Sequence, residues 1–105
     1  AMSFVEDPTR SILPIPWYRE GDWPRLLKVS VDSEETLEPT WDQWYRAALE
    51  ELYHLTTELA YVVVPIDVAV DGLITWCRTH SRSIDNEARF AFALHRFQLR
   101  HDDDS

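Results

Sequence analysis

Residues 40–66, TWDQWYRAALEELYHLTTELAYVVVPI, carry two hydrophobic periodicities in succession, and the switch between them decides the fold class. At about 100° per residue, Trp41, Trp44, Tyr45, Ala48, Leu49, Leu52, Leu55 and Leu59 fall in one arc. Asp42, Arg46, Glu50, Glu51, His54 and Glu58 fall opposite. This pattern predicts an amphipathic helix over about 41–59, lying on a core. Thr40 and Gln43 stand where a capping box places them, with the hydroxyl accepting from the N3 amide and the Gln reaching back. From Ala60 the polar face disappears. Tyr61, three Val and Ile66 form a short β-branched run, read as a buried strand whose end is marked by Pro65.

Downstream, Asp67 is the expected N-cap of a helix over about 68–80, with Ala69, Val70, Leu73, Ile74, Trp76 and Cys77 on its buried face. Gly72 sits inside that helix at a cost of about 1 kcal/mol relative to Ala, which a close packing contact would explain. Ser83 or Asp85 then caps a last helix over about 85–101. Its wheel places Arg89, Arg96 and Arg100 in one narrow arc, while Phe90, Leu94 and Phe97 point one way and Phe92 and Leu99 another. A surface helix needs only one apolar stripe, so two stripes imply contact on two sides, the body on one and a partner on the other.

Upstream, Asp22 and Pro24 signal a helix start, whereas Leu27 to Asp32 alternates like a strand; the capping signal is given the greater weight. Asp32 to Pro39 reads as an acidic loop. Residues 1–21 hold Pro8, Pro14 and Pro16 among Ile12, Ile15, Trp17 and Tyr18, which suits an extended arm packed on the body, in part as an edge strand. Residues 102–105 read as an acidic tail. The expected fold is a single α+β domain over 1–105, mostly helical, with one or two short strands in the order arm-α-α-β-α-α. A lone strand would leave its backbone polar groups unpaired. It must pair with the arm, with 26–31, or with a second copy of the chain.

Composition narrows the function classes. A chain of 105 residues with 45% hydrophobic content supports one modest core. Only two Gly are present, which disfavours Gly-rich phosphate loops. The lone Cys77 excludes an internal disulfide. The longest apolar run, Leu59 to Ile66, is far short of a membrane span, and no charged and apolar leader opens the chain, so a cytoplasmic location is expected. Ala1 before Met2 reads as a cloning remnant. The net charge of −9 is unevenly spread. Residues 1–74 hold five Lys/Arg against fourteen Asp/Glu, while residues 75–101 hold five Arg against Asp85 and Glu87. A basic quarter thus sits on an acidic body that repels polyphosphate. The two halves are expected to attract each other within the fold or across a dimer.

Five short motifs occur in order: Ile15-Pro16-Trp17-Tyr18-Arg19, Asp22-Trp23-Pro24-Arg25, Thr40-Trp41-Asp42-Gln43-Trp44, Trp76-Cys77-Arg78 and Ala88-Arg89-Phe90-Ala91. Together they resemble a group of small uncharacterised proteobacterial proteins. Those have an I-P-W-Y start, a D-Y-P motif, a helix opening near T-Y-D-E-W, a short strand, an A-W-C helix and a closing A-R-x-x-[FY]-A helix. The resemblance spans about 15–95. Trp23 stands in place of the usual Tyr, Thr75 in place of Ala before Trp-Cys, and no Gly precedes the strand. The resemblance implies a bacterial protein and supports a helix over 22–31; it brings no activity and no catalytic residue.

Candidate sites weigh as follows. Glu51 and His54 form one E-x-x-H on the wet face of its helix, short of the three or four ligands a metal needs. Cys77 and His80 form half a zinc site at best, and Cys77 reads as a buried small hydrophobe. Arg89, Arg96 and Arg100, flanked by His95 and His101, could hold an anion or make a solvated stripe. Trp17, Trp23, Trp41, Trp44 and Trp76 read as core before interface or pocket. Asp102 to Asp104 reads as solvated. No nucleophile–base pair and no nucleotide loop is found. The expected function is a non-catalytic protein-interaction module. It would be a homodimer contacting another protein through Phe90, Phe92, Phe97 and Leu99 of the last helix, Trp17 and Tyr18 of the arm, or both. The alternative is a small-ligand or anion-binding protein, or an enzyme of unknown class, using the Arg/His stripe. Nucleic acid ranks third, and no metal, cofactor or membrane is expected.

Overall fold

A computed structural model describes residues 11–104, with side chains to Arg100. Pro8 and the rest of the arm before Ser11 lie outside the described residues, as does Ser105. Strand β1 (Ile12–Tyr18) leads through a 3-10 turn, Glu20–Asp22, into helix α1 (Trp23–Val29) and the single turn α2 (Ser33–Thr36). Helix α3 (Trp41–Thr57) precedes strand β2 (Val62–Val68), and helices α4 (Val70–Thr79) and α5 (Asn86–Asp104) close the chain. The α+β architecture follows the sequence reading, with helix at 23–29 and the arm supplying the partner strand. Several boundaries do not. The acidic loop contains α2, and α5 continues through Asp102 to Asp104.

The strands pair in parallel, Ile12 against Val62 through Tyr18 against Val68. The bond from the Val62 N–H to the Ser11 carbonyl, 2.8 Å, sets the phase of the ladder. In a parallel ladder the bonds are evenly spaced and alternate residues point their backbone groups inward. Residues 13, 15 and 17 of β1 and 62, 64, 66 and 68 of β2 therefore face each other, while Pro14, Pro16 and Pro65 turn their missing N–H outward. This is why β2 does not end at Pro65: in a sheet of two strands every residue of that parity lies on an edge, where Pro costs no ladder bond. The strand runs on to Val68, so Asp67 is a strand residue and Ala69 caps α4. The free N–H of Val70 is taken by the Asp22 carboxylate, 3.1 Å, from 48 residues away.

The ends of α3 and α4 share one device. Ala60 (φ 60°) and Ser81 (φ 54°) adopt the left-handed conformation usually given to Gly. Each allows a bond back into its helix, from Tyr61 to the Leu55 carbonyl, 2.9 Å, and, as a 6→1 bond, from Arg82 to the Cys77 carbonyl, 3.0 Å. At the start of α3 the Thr40 hydroxyl oxygen accepts from the Gln43 N–H, 3.2 Å. The expected reciprocal bond is replaced: the hydroxyl donates to Gln43 Oε1, 3.0 Å.

The core gathers Tyr18, Trp23, Leu26, Val68, Val70, Leu73, Cys77, Ala88 and Phe92. It sits at the C-terminal ends of the strands, so Pro16, Tyr18, Ile66 and Val68 are buried while Ile12 and Val62 at the other end are exposed. No residue of α3 is fully buried, and on α5 burial stops at Ala93. The extents of 51 × 30 × 20 Å and a radius of gyration of 15.3 Å, against about 13 Å for a compact chain of this length, express the same fact: two long helices reach past a small core. Gly72 makes no unusually close approach. A Cβ there would meet Phe92 Cζ at 3.5 Å, an ordinary contact, so packing does not require Gly at this position.

Candidate functional site

The arginine stripe of α5 divides at the edge of the core. On the wheel Arg89 falls between Phe92 and Ala93, inside the arc that the body buries, and it is 1% exposed. Asp32 supplies its counter-charge, 3.0 Å from Nη1, while Ser30 Oγ accepts from Nη1 at 3.1 Å and Thr36 Oγ1 from Nη2 at 2.8 Å. The Tyr18 phenol faces the same guanidinium. Burial pushes that phenol up to about 12, partly offset by the Arg89 charge. Burial alone would raise the Asp32 carboxyl. The Arg89 bond, the Asn86 N–H at 2.8 Å and the Arg89 charge outweigh it and hold the carboxyl below its usual range. Arg89 thus ties α5 to the α1–α2 corner. Arg96 and Arg100, about two and three turns on, lie beyond the core and are exposed. Arg96 sits 5.9 Å over the Phe92 ring. The three Arg do not converge on one anion site.

The two apolar stripes of α5 border two separate hollows. The first is a cavity of about 300 Å³ between β1, α3 and α5. Leu13, Ile15 and Trp17 come from β1, Trp44, Ala48 and Leu55 from α3, and Phe90 from α5. Trp17 and Trp44 meet edge to face, 5.2 Å apart at 65°, and Trp41 stacks on Tyr45 at 4.8 Å. The Trp41 indole donates to the Tyr18 carbonyl, 3.0 Å, sealing the outward backbone where β1 ends. Tyr18 and Arg89 contribute to the floor, and Asn86 and Glu51 bring polar groups to the cavity. Of its two charged lining residues, Arg89 is enclosed and ion-paired, while Glu51 is exposed.

The second hollow is an open groove of about 560 Å³ between α4 and α5, lined by Trp76, Phe92, His95, Arg96 and Leu99 among others. Trp76 lies 4.5 Å from the His80 ring, 5.6 Å from Phe92 and 5.8 Å from His95. Its enclosed indole N–H finds no acceptor among the described residues.

The sequence-predicted site residues therefore fall into two groups. Trp17, Tyr18, Arg89 and Phe90 meet at the cavity; Phe92, His95, Arg96 and Leu99 meet at the groove. Tyr18 and Phe92 belong to the core. Phe97 is half-buried and Arg100 is exposed. The side chain of His101 lies outside the described residues. His54 joins Glu58, 2.8 Å apart, so the E-x-x-H does not act as a unit. Cys77 is buried, and burial raises its thiol above the ordinary value. The His80 imidazole donates instead to the Trp76 carbonyl, 2.8 Å. Among the described residues no three His, Cys, Asp or Glu gather as metal ligands, and no helix is long and apolar enough to cross a membrane.

Sequence reasoning missed Asp32, Ser30 and Thr36 as partners of Arg89, because a contact across more than fifty residues has no local signal. It also read Glu51 as part of the wet face, although at about 100° per residue it falls on the same side of α3 as Trp44, Ala48 and Leu55. A signal for Arg89 did exist: its wheel position between Phe92 and Ala93 marks it as inward-facing. Comparison with family models, with curated proteins and with solved structures finds no match to this chain.

Proposed function

We propose that the protein is a non-catalytic interaction module that works as a homodimer joined through its helices. The observation that carries the reading is the apolar surface left on the two long helices. Leu49, Tyr53, Phe90, Leu94 and Leu99 are each between 42% and 66% exposed, and Phe90 and Leu94 stand one turn apart on α5. Single exposed apolar residues are ordinary; several on two projecting helices favour a covered face. Charge favours a second copy as the cover. The outer side of α3 carries Glu50 and Glu58, and α5 carries Arg96 and Arg100, all exposed. A twofold can set Glu50 and Glu58 of one copy against Arg96 and Arg100 of the other. Strand addition is disfavoured, since Pro14 and Pro16 remove donors from the outer edge of β1 and Pro65 removes one from that of β2.

The test is solution mass by size exclusion with light scattering across concentration and salt. The expected result is twice the 12.4 kDa of one chain, falling to one chain in a Leu49→Glu, Leu94→Glu double variant that keeps its circular dichroism. A wild-type monomer at micromolar concentration would remove the basis of the reading.

A further inference from the structure

We infer that the cavity between β1, α3 and α5 is a binding site for a small organic cation, an ammonium carrying an aryl or alkyl body. The cavity shares Phe90 with the face assigned to the dimer, but all of its walls come from one chain. Three properties point to it. The volume of about 300 Å³ holds on the order of ten non-hydrogen atoms, taking about 30 Å³ for each water-sized unit, which lies at the lower end of ligand sites. The walls are apolar and aromatic, with Trp17 and Trp44 at 65° to each other forming a corner and Phe90 on the α5 side. Aromatic faces attract cations through their quadrupoles, Trp most strongly.

The third property is charge. The one charged group that lines the cavity and remains open to solvent is the carboxylate of Glu51. The other, Arg89, lies in the floor, where its ion pair with Asp32 neutralises it. An anion entering the cavity would meet Glu51 within a chain of net charge −9. A neutral body would gain the walls alone. A cation would gain the walls, the ring faces and the carboxylate together. The helix turn explains the placement: Trp44, Ala48, Glu51 and Leu55 recur at three- and four-residue spacing on one side of α3. Ala48 is the smallest side chain among the residues that line the cavity.

The experiment uses three probes that differ chiefly in charge: 3-phenylpropylammonium, 3-phenylpropan-1-ol and 3-phenylpropanoate. Binding is titrated on the full chain by following the indole N–H resonances of Trp17 and Trp44. The expected order is ammonium at least tenfold tighter than the alcohol, with the carboxylate weakest. Glu51→Gln lowers the ammonium-to-alcohol ratio severalfold, to what the ring faces alone contribute, and Ala48→Phe, which fills the cavity, removes binding of all three. Should Ala48→Phe fail to fold, the Glu51→Gln ratio still decides. The inference is overturned if the ammonium does not bind, if the carboxylate binds as well as the ammonium, if the ratio survives Glu51→Gln, or if a folded Ala48→Phe protein still binds.

Discussion

Replacing Arg89 by Met tests the account of the α5 anchor most directly. The side chain is 1% exposed and its guanidinium bonds Ser30, Asp32 and Thr36. Met keeps much of the aliphatic volume and removes the charge and every one of those bonds. Asp32, its side chain 20% exposed, would keep the Asn86 N–H but lose its counter-ion. Breaking a buried pair from one side costs about 3–5 kcal/mol, a large share of the roughly 5–15 kcal/mol that holds a domain of this size together. At about 4–8 °C per kcal/mol, the melting temperature should fall by about 12 °C or more. The assay is urea and thermal unfolding followed by Trp fluorescence and circular dichroism, in a cycle with Asp32→Asn, which retains an acceptor for the Asn86 N–H. A coupling energy of about 2 kcal/mol is expected for residues in one such network.

The same pair fixes the sign of the acid limb. The folded carboxyl of Asp32 titrates below its unfolded value, so its contribution is complete above the unfolded pKa. It is lost as pH falls through the folded one. Arg89→Met should flatten that limb. A loss below about 1 kcal/mol, additive cycles, or an unchanged acid limb would refute the claim that the pair anchors α5.

Four further outcomes follow from the packing. Tyr18, raised to about 12 by burial, should ionise well above the ordinary phenol value near 10 in an absorbance titration. Because its folded pKa lies above the unfolded value near 10, stability should fall by about 2–3 kcal/mol between pH 10 and 12, a limb absent from Tyr18→Phe. Ala60→Gly should raise the urea midpoint, because Gly relieves a left-handed strain of about 1 kcal/mol; a lowered midpoint would count against strain there. Gly72→Ala should stabilise by about 1 kcal/mol, since the new Cβ meets Phe92 at ordinary contact distance; loss of stability would mean that α4 and α5 are packed more tightly. Cys77 should resist thiol reagents in the native protein and react only as the chain unfolds in urea; rapid native labelling would contradict its burial.

Much of the fold can be read along the chain because it rests on local rules. The change from 3.6-residue to strand-like patterning after Ala60 announces α3 and β2, the Thr40 cap starts the long helix, and Pro24 in a first turn favours helix over 23–29. Where such rules misread, a distant partner had intervened. Pro65 looks like a strand end, yet on a two-stranded ladder its missing N–H points away from β1. Asp67 looks like a cap, yet Asp22 reaches across from the 3-10 turn to do that work.

The candidate sites depend on distance in the same way. The sequence by itself determines two long amphipathic helices, a β-branched strand, an acidic body, an arginine stripe on the last helix and one unpaired thiol, because side-chain periodicity, caps and charge act within a few residues of their cause. Only the tertiary structure decides that Arg89 turns inward to Asp32 while Arg96 and Arg100 run past the core. It also decides that the two apolar stripes of α5 border different hollows, and that Glu51 stands beside a corner of indoles. Those outcomes depend on where the small core ends relative to helices that outreach it, and no local pattern encodes that length.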